Sequence, residues 1–318
     1  MRNSSLPDRY AGTLLGLACG DALGGPLEFL KRDEIAARFP TGVTEFIGGG
    51  WLDLDPGEVT DDTQQALILA ESLTASGLDL DRFAAGLIAW FRSDPKDIGN
   101  TTRIALDALA AGTAPLDAGA VALATRGEQA AANGAVMRCA PVALRFRRQP
   151  GRLVRASLDS TRVTHAEARA AWATVAVNQA LVHLLNGGAI AGAPAAGVVG
   201  IANNEVREAV LEAAGRRRDD VRAGGFVLET IGASFWSLLN AGGPREAIEM
   251  AVALGDDADS TGAVTGRLPE PLMALRLCHK NGSRPCSSGT DSNRKRCDCW
   301  ISPSATRRGR TRAAERRA

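Results

Sequence analysis

The 318-residue sequence predicts an all-α fold, and three observations support this prediction. Apolar residues recur at helical spacing in successive segments, which are bounded by capping or helix-stopping residues. Aromatic residues make up only 4% of the chain while Ala and Leu are abundant, a composition that favours closely packed helices over a β-sandwich. No alternating segment of useful length indicates a strand. The chain is also long enough to bury a sizeable helical core.

Seven segments carry the helical pattern, and several have a local reason to begin or end where they do. Asp81 is a plausible N-cap for the second segment, and Gly112 is suited to end the third. Pro244 suits the first turn of the last segment, and Gly255 suits its end. The predicted helices are 61–76, 80–92, 101–112, 165–188, 203–218, 225–243 and 244–255.

One long glycine-rich segment, residues 42–60, does not fit this helical series. Its composition predicts an ordered loop. Loops of this length are uncommon without a functional reason, so we expect the segment to contribute to a site.

Charge and cysteine content change abruptly after residue 266. Residues 267–318 carry 13 Lys and Arg against 4 Asp and Glu, whereas residues 1–266 carry 24 against 32. The tail also holds four of the six cysteines and shows no sustained helical period. We therefore expect a helical domain over 1–266 and a mostly disordered, basic, Cys/Ser/Arg-rich tail over 267–318. The net negative charge of residues 1–266 argues against sequence-specific binding of a nucleic acid.

The expected compartment is the cytoplasm. No run of eighteen apolar residues predicts a membrane span, and the N-terminal segment lacks the basic and apolar regions of a secretory signal. Only Cys19 and Cys139 lie in the body, which fits a reducing environment better than a disulfide framework. We expect no membrane partner, and the sequence leaves the oligomeric state open.

Two acidic clusters are the strongest candidates for chemistry. The segment 60–63 (Thr-Asp-Asp-Thr) opens a predicted helix, and the segment 256–261 (Asp-Asp-Ala-Asp-Ser-Thr) follows a glycine turn. Adjacent carboxylates repel each other unless they are solvated, hydrogen-bonded or bound to a cation. Carboxylate and hydroxyl oxygens are ligands that Mg²⁺ and Mn²⁺ prefer, so the two clusters could together hold two metal ions. The alternative is that both clusters are only helix N-caps.

Three further segments give weaker signals. The glycines at 20–25 permit close backbone approach, either to a ligand or to a neighbouring helix. Segments 99–103 and 133–138 place small or amide residues before a helix, where free N–H groups could bind phosphate or could simply be capped. No two of the three histidines share a metal-binding spacing, so we expect no zinc site.

Taken in order, these motifs resemble those of the ADP-ribosylglycohydrolase family. The strings that carry the resemblance are GLACGDALGGPLEF, VTDDTQQAL, DIGNTTRIAL, NGAVMRCAPVAL, THAEARAA and ALGDDADSTGAVTG, between residues 15 and 266. The resemblance implies an all-α, compact orthogonal multi-helix bundle with a binuclear Mg²⁺ or Mn²⁺ centre in a cleft. It also implies hydrolysis of an N- or O-glycosidic bond at C1″ of ADP-ribose, with ADP-ribose or an ADP-ribosylated protein as partner.

The resemblance assigns roles to individual positions. The implied metal ligands are Thr60, Asp61, Asp62, Asp257, Asp259 and Ser260. The implied catalytic residues are Glu28, Asp62, Asp97 and Asp259. The implied substrate-binding residues are Gly99, Asn100, Thr101, Asn133, Gly134, Ala135, Met137, Arg138 and His165. Asp97 stands where arginine-directed members place an acidic residue near the guanidinium, which favours an arginine linkage.

The resemblance ends at the tail. Family members continue with a Gly/Ala-rich helix and an Ile/Leu-Pro-x-x-Trp segment, and codons shifted by one nucleotide over residues 268–283 permit such a continuation. We therefore hypothesise that the tail is a frameshift product that lowers stability and activity, with a genuine divergent tail as the alternative. Two other functions stay open: a non-catalytic ADP-ribose-binding or structural relative, and a metal-dependent hydrolase of another nucleotide-like substrate.

Overall fold

The described part of the chain is built from helices. The computed structural model describes residues 5–267, and within that range helices alternate with loops, short 3₁₀ turns and isolated bridges. The helices of this range are α1 (Leu6–Gly24), α2 (Arg32–Arg38), α3 (Asp61–Glu71), α4 (Leu80–Phe91), α5 (Asn100–Ala110), α6 (Pro115–Arg126), α7 (Ala140–Phe146), α8 (Pro150–Arg162), α9 (Ala168–Leu185), α10 (Ala193–Gly197), α11 (Asn204–Leu211), α12 (Val227–Asn240), α13 (Pro244–Val252) and α14 (Ala258–Gly266). The all-α prediction is therefore confirmed. Apart from Arg267, the predicted tail lies outside the described residues.

Capping groups correct two predictions about where helices begin. The N-cap of α4 is Asp79, whose carboxylate accepts a hydrogen bond from the amide of Arg82 at 2.9 Å. The expectation that Asp81 caps this helix is wrong, because Asp81 lies within its first turn. Helix α9 begins at Ala168 rather than near residue 165, since Glu167 accepts hydrogen bonds from the first amides of the helix.

Periodicity alone did not reveal α1, because the second half of this helix is buried on nearly all sides. Every residue from Cys19 to Gly24 is buried, so no polar face marks the helix in the sequence. Helices α2, α6, α7, α8, α10 and α14 were also absent from the predicted set. Among residues 5–267, none of the helices is long and apolar enough to span a bilayer.

Helices α1 and α14 pack through glycines at a distance that no other residue permits. A Cβ atom added to Gly20 would lie 2.0 Å from the carbonyl oxygen of Gly262, and one added to Gly16 would lie 1.9 Å from that of Gly266. These are backbone atoms that no rotamer change can move. The glycine motif at 20–25 therefore serves helix–helix contact, one of its two predicted uses, and this contact brings the end of α1 beside the second acidic cluster.

The predicted loop 42–60 contains no helix and is held against the end of α1. Gly49 and Leu54 exchange backbone hydrogen bonds of 2.7 and 2.9 Å, which close the loop on itself. Gly50 has a φ of +73°, and a Cβ there would lie 2.8 Å from the Cα of Pro26. The loop therefore rests directly on the 3₁₀ turn Gly25–Leu27 and presents Trp51 beside Glu28.

Candidate active site

A cleft with a cavity volume of about 740 Å³ collects most of the predicted site residues. This volume is in the range of small-molecule and cofactor sites. The predicted residues that line it are Glu28, Asp61, Asp97, Gly99, Asn100, Thr101, Asn133, Gly134, Met137, His165, Asp257, Asp259 and Ser260. Thr60, Asp62, Ala135 and Arg138 are not part of the lining and are buried behind it.

The two acidic clusters meet at the floor of this cleft. Asp61 and Asp62 open α3, and Asp259 lies in the first turn of α14. The hydroxyl of Ser260 donates a hydrogen bond to Asp62 Oδ2 at 3.3 Å, and Thr60 Oγ1 lies 3.5 Å from Asp259 Oδ2. The N-cap residues of both helices make no capping hydrogen bond with their side chains. Capping alone therefore does not account for the two clusters.

Glu28 is fixed to the second cluster by its own backbone neighbours. The amide of Phe29 donates to the carbonyl of Asp256 at 2.6 Å, and the amide of Asp256 donates to the carbonyl of Leu30 at 2.9 Å. Phe29 adopts a φ of +65°, an uncommon conformation for a non-glycine residue, which turns the chain at this point. Glu28 is 8% exposed, and its Oε2 accepts a hydrogen bond of 2.6 Å from the indole nitrogen of Trp51.

Three carboxylates that come from distant parts of the sequence could hold a metal ion. Glu28, Asp97 and Asp259 each offer an oxygen, and these oxygens all lie within 4.8 Å of one another. In addition, Asp62 Oδ1 is buried without a hydrogen-bond partner among the described residues. Oxygen-only donors and an unsatisfied buried carboxylate oxygen fit a hard divalent cation.

Burial makes these carboxylates costly to ionise together. It raises the pKa of Asp61, Asp62 and Asp259 well above the usual range, and the neighbouring carboxylates raise them further. The pKa of Glu28 is raised to about 8, chiefly by burial, although the Trp51 hydrogen bond opposes the shift. The pKa of Asp97 is also raised, chiefly by burial. A bound cation would offset this accumulated negative charge.

Asp21 is a site residue that sequence reasoning missed. Its side chain is fully buried, and it accepts hydrogen bonds from Thr60 N (3.0 Å) and Oγ1 (2.8 Å) and from Thr63 N (3.1 Å) and Oγ1 (2.5 Å). The carboxylate from α1 therefore caps α3 across the helix interface and fixes the turn that carries the first acidic cluster. The sequence signal that could have revealed it is the presence of one ionisable residue among the small residues of 16–25.

The other predicted loops form the remaining lining of the cleft. Asn133 Nδ2 donates to Asp257 Oδ2 and to Thr230 Oγ1, both at 3.0 Å, so that this loop is tied to the second cluster. Gly99 is the N-cap of α5, and Asn100 and Thr101 form its first turn, where backbone N–H groups lack intrahelical partners.

Two cationic side chains and three aromatic ones line the cleft without having been predicted. Arg169 lies with its guanidinium 5.3 Å from the centre of the Phe226 ring and forms an ion pair with Glu167 at 2.9 Å. Arg126 also lines the cleft, as do Phe29 and Trp51, whose ring centroids are 5.3 Å apart. These residues are scattered along the sequence, and no local pattern marks them.

Comparisons with known proteins identify the family to which the chain is similar. Residues 2–268 match the family model described as ADP-ribosylglycohydrolase. The ADP-ribosylarginine hydrolase Tri1 of Serratia proteamaculans (strain 568) is 36% identical over 274 residues, covering 83% of this chain and 71% of the relative. The ADP-ribosyl-dinitrogen reductase glycohydrolase of Rhodospirillum rubrum is 31% identical over 279 residues, covering 84% of this chain and 86% of the relative. A solved structure titled as an ADP-ribosylglycohydrolase-related protein complex matches with a TM-score of 0.73 at 33% identity, covering 86% of this chain and 92% of that one.

Proposed function

The chain belongs to the ADP-ribosylglycohydrolase family, and on this premise we propose that it hydrolyses the N-glycosidic bond between C1″ of ADP-ribose and an arginine of a modified protein. The observation that carries the proposal is the convergence of Glu28, Asp97 and Asp259 in one cleft of suitable size. The names of the two relatives, one directed at ADP-ribosylarginine and one at a modified protein, support the choice of substrate.

The lining of the cleft provides complementary groups for both parts of such a substrate. Carboxylates suit the hydroxyls of a ribose and the cationic guanidinium of arginine, and Asp97 is the residue that we assign to the guanidinium. The free N–H groups at the start of α5, beginning at Asn100, suit a diphosphate. Phe226 lines the cleft and is 37% exposed, so its ring suits contact with an adenine ring.

The residues proposed to hold two Mg²⁺ or Mn²⁺ ions are Thr60, Asp61, Asp62, Asp257, Asp259 and Ser260. When bound, such ions would supply Lewis-acid polarisation and would neutralise the clustered carboxylates. The donor set of carboxylates and hydroxyls, together with the unpartnered Asp62 Oδ1, supports this assignment. Asp21 would keep the first cluster in place by holding Thr60 and Thr63.

Glu28 is the residue that we assign to proton transfer. Since its Oε2 accepts the Trp51 indole hydrogen, a proton on this carboxyl group resides on Oε1. Burial raises the pKa of Glu28 to about 8 in the metal-free site, which favours the protonated form, and Glu28 would give this proton to the leaving nitrogen. Hydrolysis then adds the oxygen of one water to C1″ as the C1″–N bond breaks, and a proton from that water restores the carboxyl group.

Calorimetric titration with ADP-ribose, with and without Mg²⁺, tests the binding part of the proposal. We expect Mg²⁺-dependent binding that Asp259→Asn abolishes. Asp256→Asn is the matched control, because Asp256 belongs to the same cluster but is partly exposed and paired with Lys31 at 2.6 Å. Loss of binding in both variants, or in neither, would contradict the assigned site.

A release assay tests the reaction itself. The wild-type protein is incubated with an ADP-ribosylarginine peptide and with a serine-linked one, and free ADP-ribose is measured. We expect release from the arginine linkage that Glu28→Gln reduces by at least about 10²-fold, the usual contribution of a general acid. Binding of ADP-ribose without any release would instead support the non-catalytic alternative.

A further inference from the structure

Arg138 lies in a surrounding that is unusual for a charged residue. It is 1% exposed, and burial lowers the pKa of its guanidinium to about 10. Among residues 5–267 no carboxylate forms an ion pair with it. Its partners are instead neutral oxygens of four residues: Gln65 Oε1 (2.7 Å), Gly134 O (2.9 Å), Ser160 O (3.4 Å) and Thr164 Oγ1 (2.5 Å).

A guanidinium can only donate hydrogen bonds, and this fixes the direction of every bond that continues from it. Gln65 must present its amide oxygen to Arg138, so its Nε2 faces the opposite way and donates to Asp61 Oδ2 at 3.0 Å. Arg138 therefore orients the Gln65 amide, and this neutral amide donates its hydrogen bond to one oxygen of Asp61. The same reasoning applies to Thr164 on the other side.

The hydroxyl of Thr164 accepts from Arg138, so its own hydrogen must point elsewhere. Its other partner is His165 Nδ1, at 2.8 Å, and both residues are fully or almost fully buried. If Nδ1 carried a hydrogen, the Thr164 oxygen would face two donors and the hydroxyl hydrogen would have no acceptor. That arrangement would leave two buried groups unpaired, the hydroxyl hydrogen of Thr164 and the lone pair of His165 Nε2. An accepting Nδ1 leaves only the Nε2–H group, which belongs to a ring that lines the cleft, so Nδ1 is the acceptor.

A neutral imidazole whose Nδ1 accepts carries its hydrogen on Nε2. His165 Nε2 is buried and has no partner among the described residues, while the ring lines the cleft. Gly134 leaves room for the ring, because a Cβ there would lie 2.8 Å from His165 Cε1. Burial and the nearby Arg138 lower the pKa of His165 to about 3, which keeps the ring neutral.

We propose that Arg138 and Thr164 are positioning residues that hold His165 as its Nε2–H tautomer, so that His165 offers the cleft a neutral hydrogen-bond donor. The ligand atom that this donor takes is an acceptor oxygen of a ribose or phosphate, and this last part rests on the proposed function. His165 in this state donates a hydrogen bond and does not act as a base. Arg138 thus acts on the ligand through His165 rather than by direct contact.

Nitrogen NMR of the full-length protein with ¹⁵N-labelled histidine tests the tautomer without any ligand. The chain has three histidines, and His165→Gln identifies the signals of His165. We expect a protonated Nε2 and an unprotonated Nδ1 in the wild type. Thr164→Val, which removes the hydroxyl but not its volume, should mix the two tautomers of His165, and Thr164→Ser should restore the single one.

Thr161→Val is the matched control, because Thr161 is also a fully buried threonine and its hydroxyl donates to Ser157 O at 2.8 Å. It should leave the His165 signals unchanged. His183, whose Nε2 lies 2.9 Å from the carbonyl of Ala189, should be unaffected by all three threonine variants. A wild-type His165 protonated on Nδ1, or a Thr164→Val spectrum identical to the wild type, would overturn the proposal.

Calorimetry with ADP-ribose then tests the consequence for the ligand. Thr164→Val should weaken binding by about threefold to tenfold, the value of one hydrogen bond, and Thr161→Val should not. Equal affinities for wild type and Thr164→Val would overturn the donor role. A wild-type protein that shows the expected tautomer and binds no ADP-ribose would instead refute the proposed function.

Discussion

The substitution Gly20→Ala tests whether α1 and α14 pack so closely that only glycine fits between them. The new Cβ would lie 2.0 Å from the carbonyl oxygen of Gly262, whereas ordinary contacts begin near 3.4 Å. The two helices would have to separate by about 1.4 Å at this point. Side-chain rotation cannot relieve the overlap, because both groups belong to rigid helical backbone.

The expected cost follows from two opposing effects. Alanine favours a helix interior over glycine by about 1 kcal/mol, which would stabilise the variant if space were available. Overpacking costs about 1–3 kcal/mol even where side chains can adapt. Because backbone is involved, we expect overpacking at the upper end of this range and a net loss of about 2 kcal/mol in the free energy of unfolding, or a melting temperature lower by about 4–8 °C.

Urea denaturation followed by circular dichroism measures this change. Gly151→Ala is the matched control, since Gly151 lies in the first turn of α8 with no neighbouring atom within 4 Å of its added Cβ. The control should be neutral or more stable by up to about 1 kcal/mol. A Gly20→Ala protein within about 0.5 kcal/mol of the wild type would refute the close-contact argument.

Three further changes give independent predictions. Asp21→Asn places an amide against the two donors of Thr63 and should cost about 2–4 kcal/mol of stability, measured by denaturation, with weaker Mg²⁺ binding by calorimetry. Trp51→Phe removes the donor to Glu28 and should raise the pKa of Glu28 by about half to one unit, seen as a shift to higher pH in the pH–activity profile. The folded-state pKa of His165, about 3, lies below its ordinary value of 6.5, so its contribution to stability is complete above pH 6.5 and is lost as the pH falls toward 3. Between pH 6.5 and 4.5, the free energy of unfolding of His165→Gln, measured by denaturation, should therefore fall by about 2–3 kcal/mol less than that of the wild type. Equal falls in the two proteins would count against a buried neutral imidazole.

The sequence was sufficient to predict those helices that keep one polar face. Helix α4 buries Phe83, Ala84 and Leu87 on one side, so its apolar residues repeat visibly along the chain. Helix α1 lacks such a pattern because its second half is buried all round, and only its glycines were noticeable. The capping residue depended on side-chain contacts, and for this reason Asp81 was predicted as the N-cap of α4 where the structure has Asp79.

Site residues could be predicted from the sequence where they form short motifs. They could not be predicted where their role depends on contact between distant segments. The acidic clusters were conspicuous because carboxylates adjoin each other in the sequence. Asp21 was not, since its role exists only when α1 meets the start of α3. Arg138 belongs to a motif that suggested ligand contact, but its burial behind Gly134 is a property of the folded chain.

The clustered carboxylates of the cleft explain why the closely packed helices α1 and α14 lie beside them. Carboxylates that approach within 4.8 Å repel one another, and burial strengthens this repulsion. A flexible framework would relax by moving the two acidic clusters apart and would lose a ready-made cation site. The glycine contacts of α1 with α14 and the four hydrogen bonds to Asp21 oppose that relaxation, because they act on the backbone at the very turns from which the carboxylates project. Preorganisation of this kind transfers the cost of assembling the charges from ligand binding to folding, so that a divalent cation would encounter its ligands already in position.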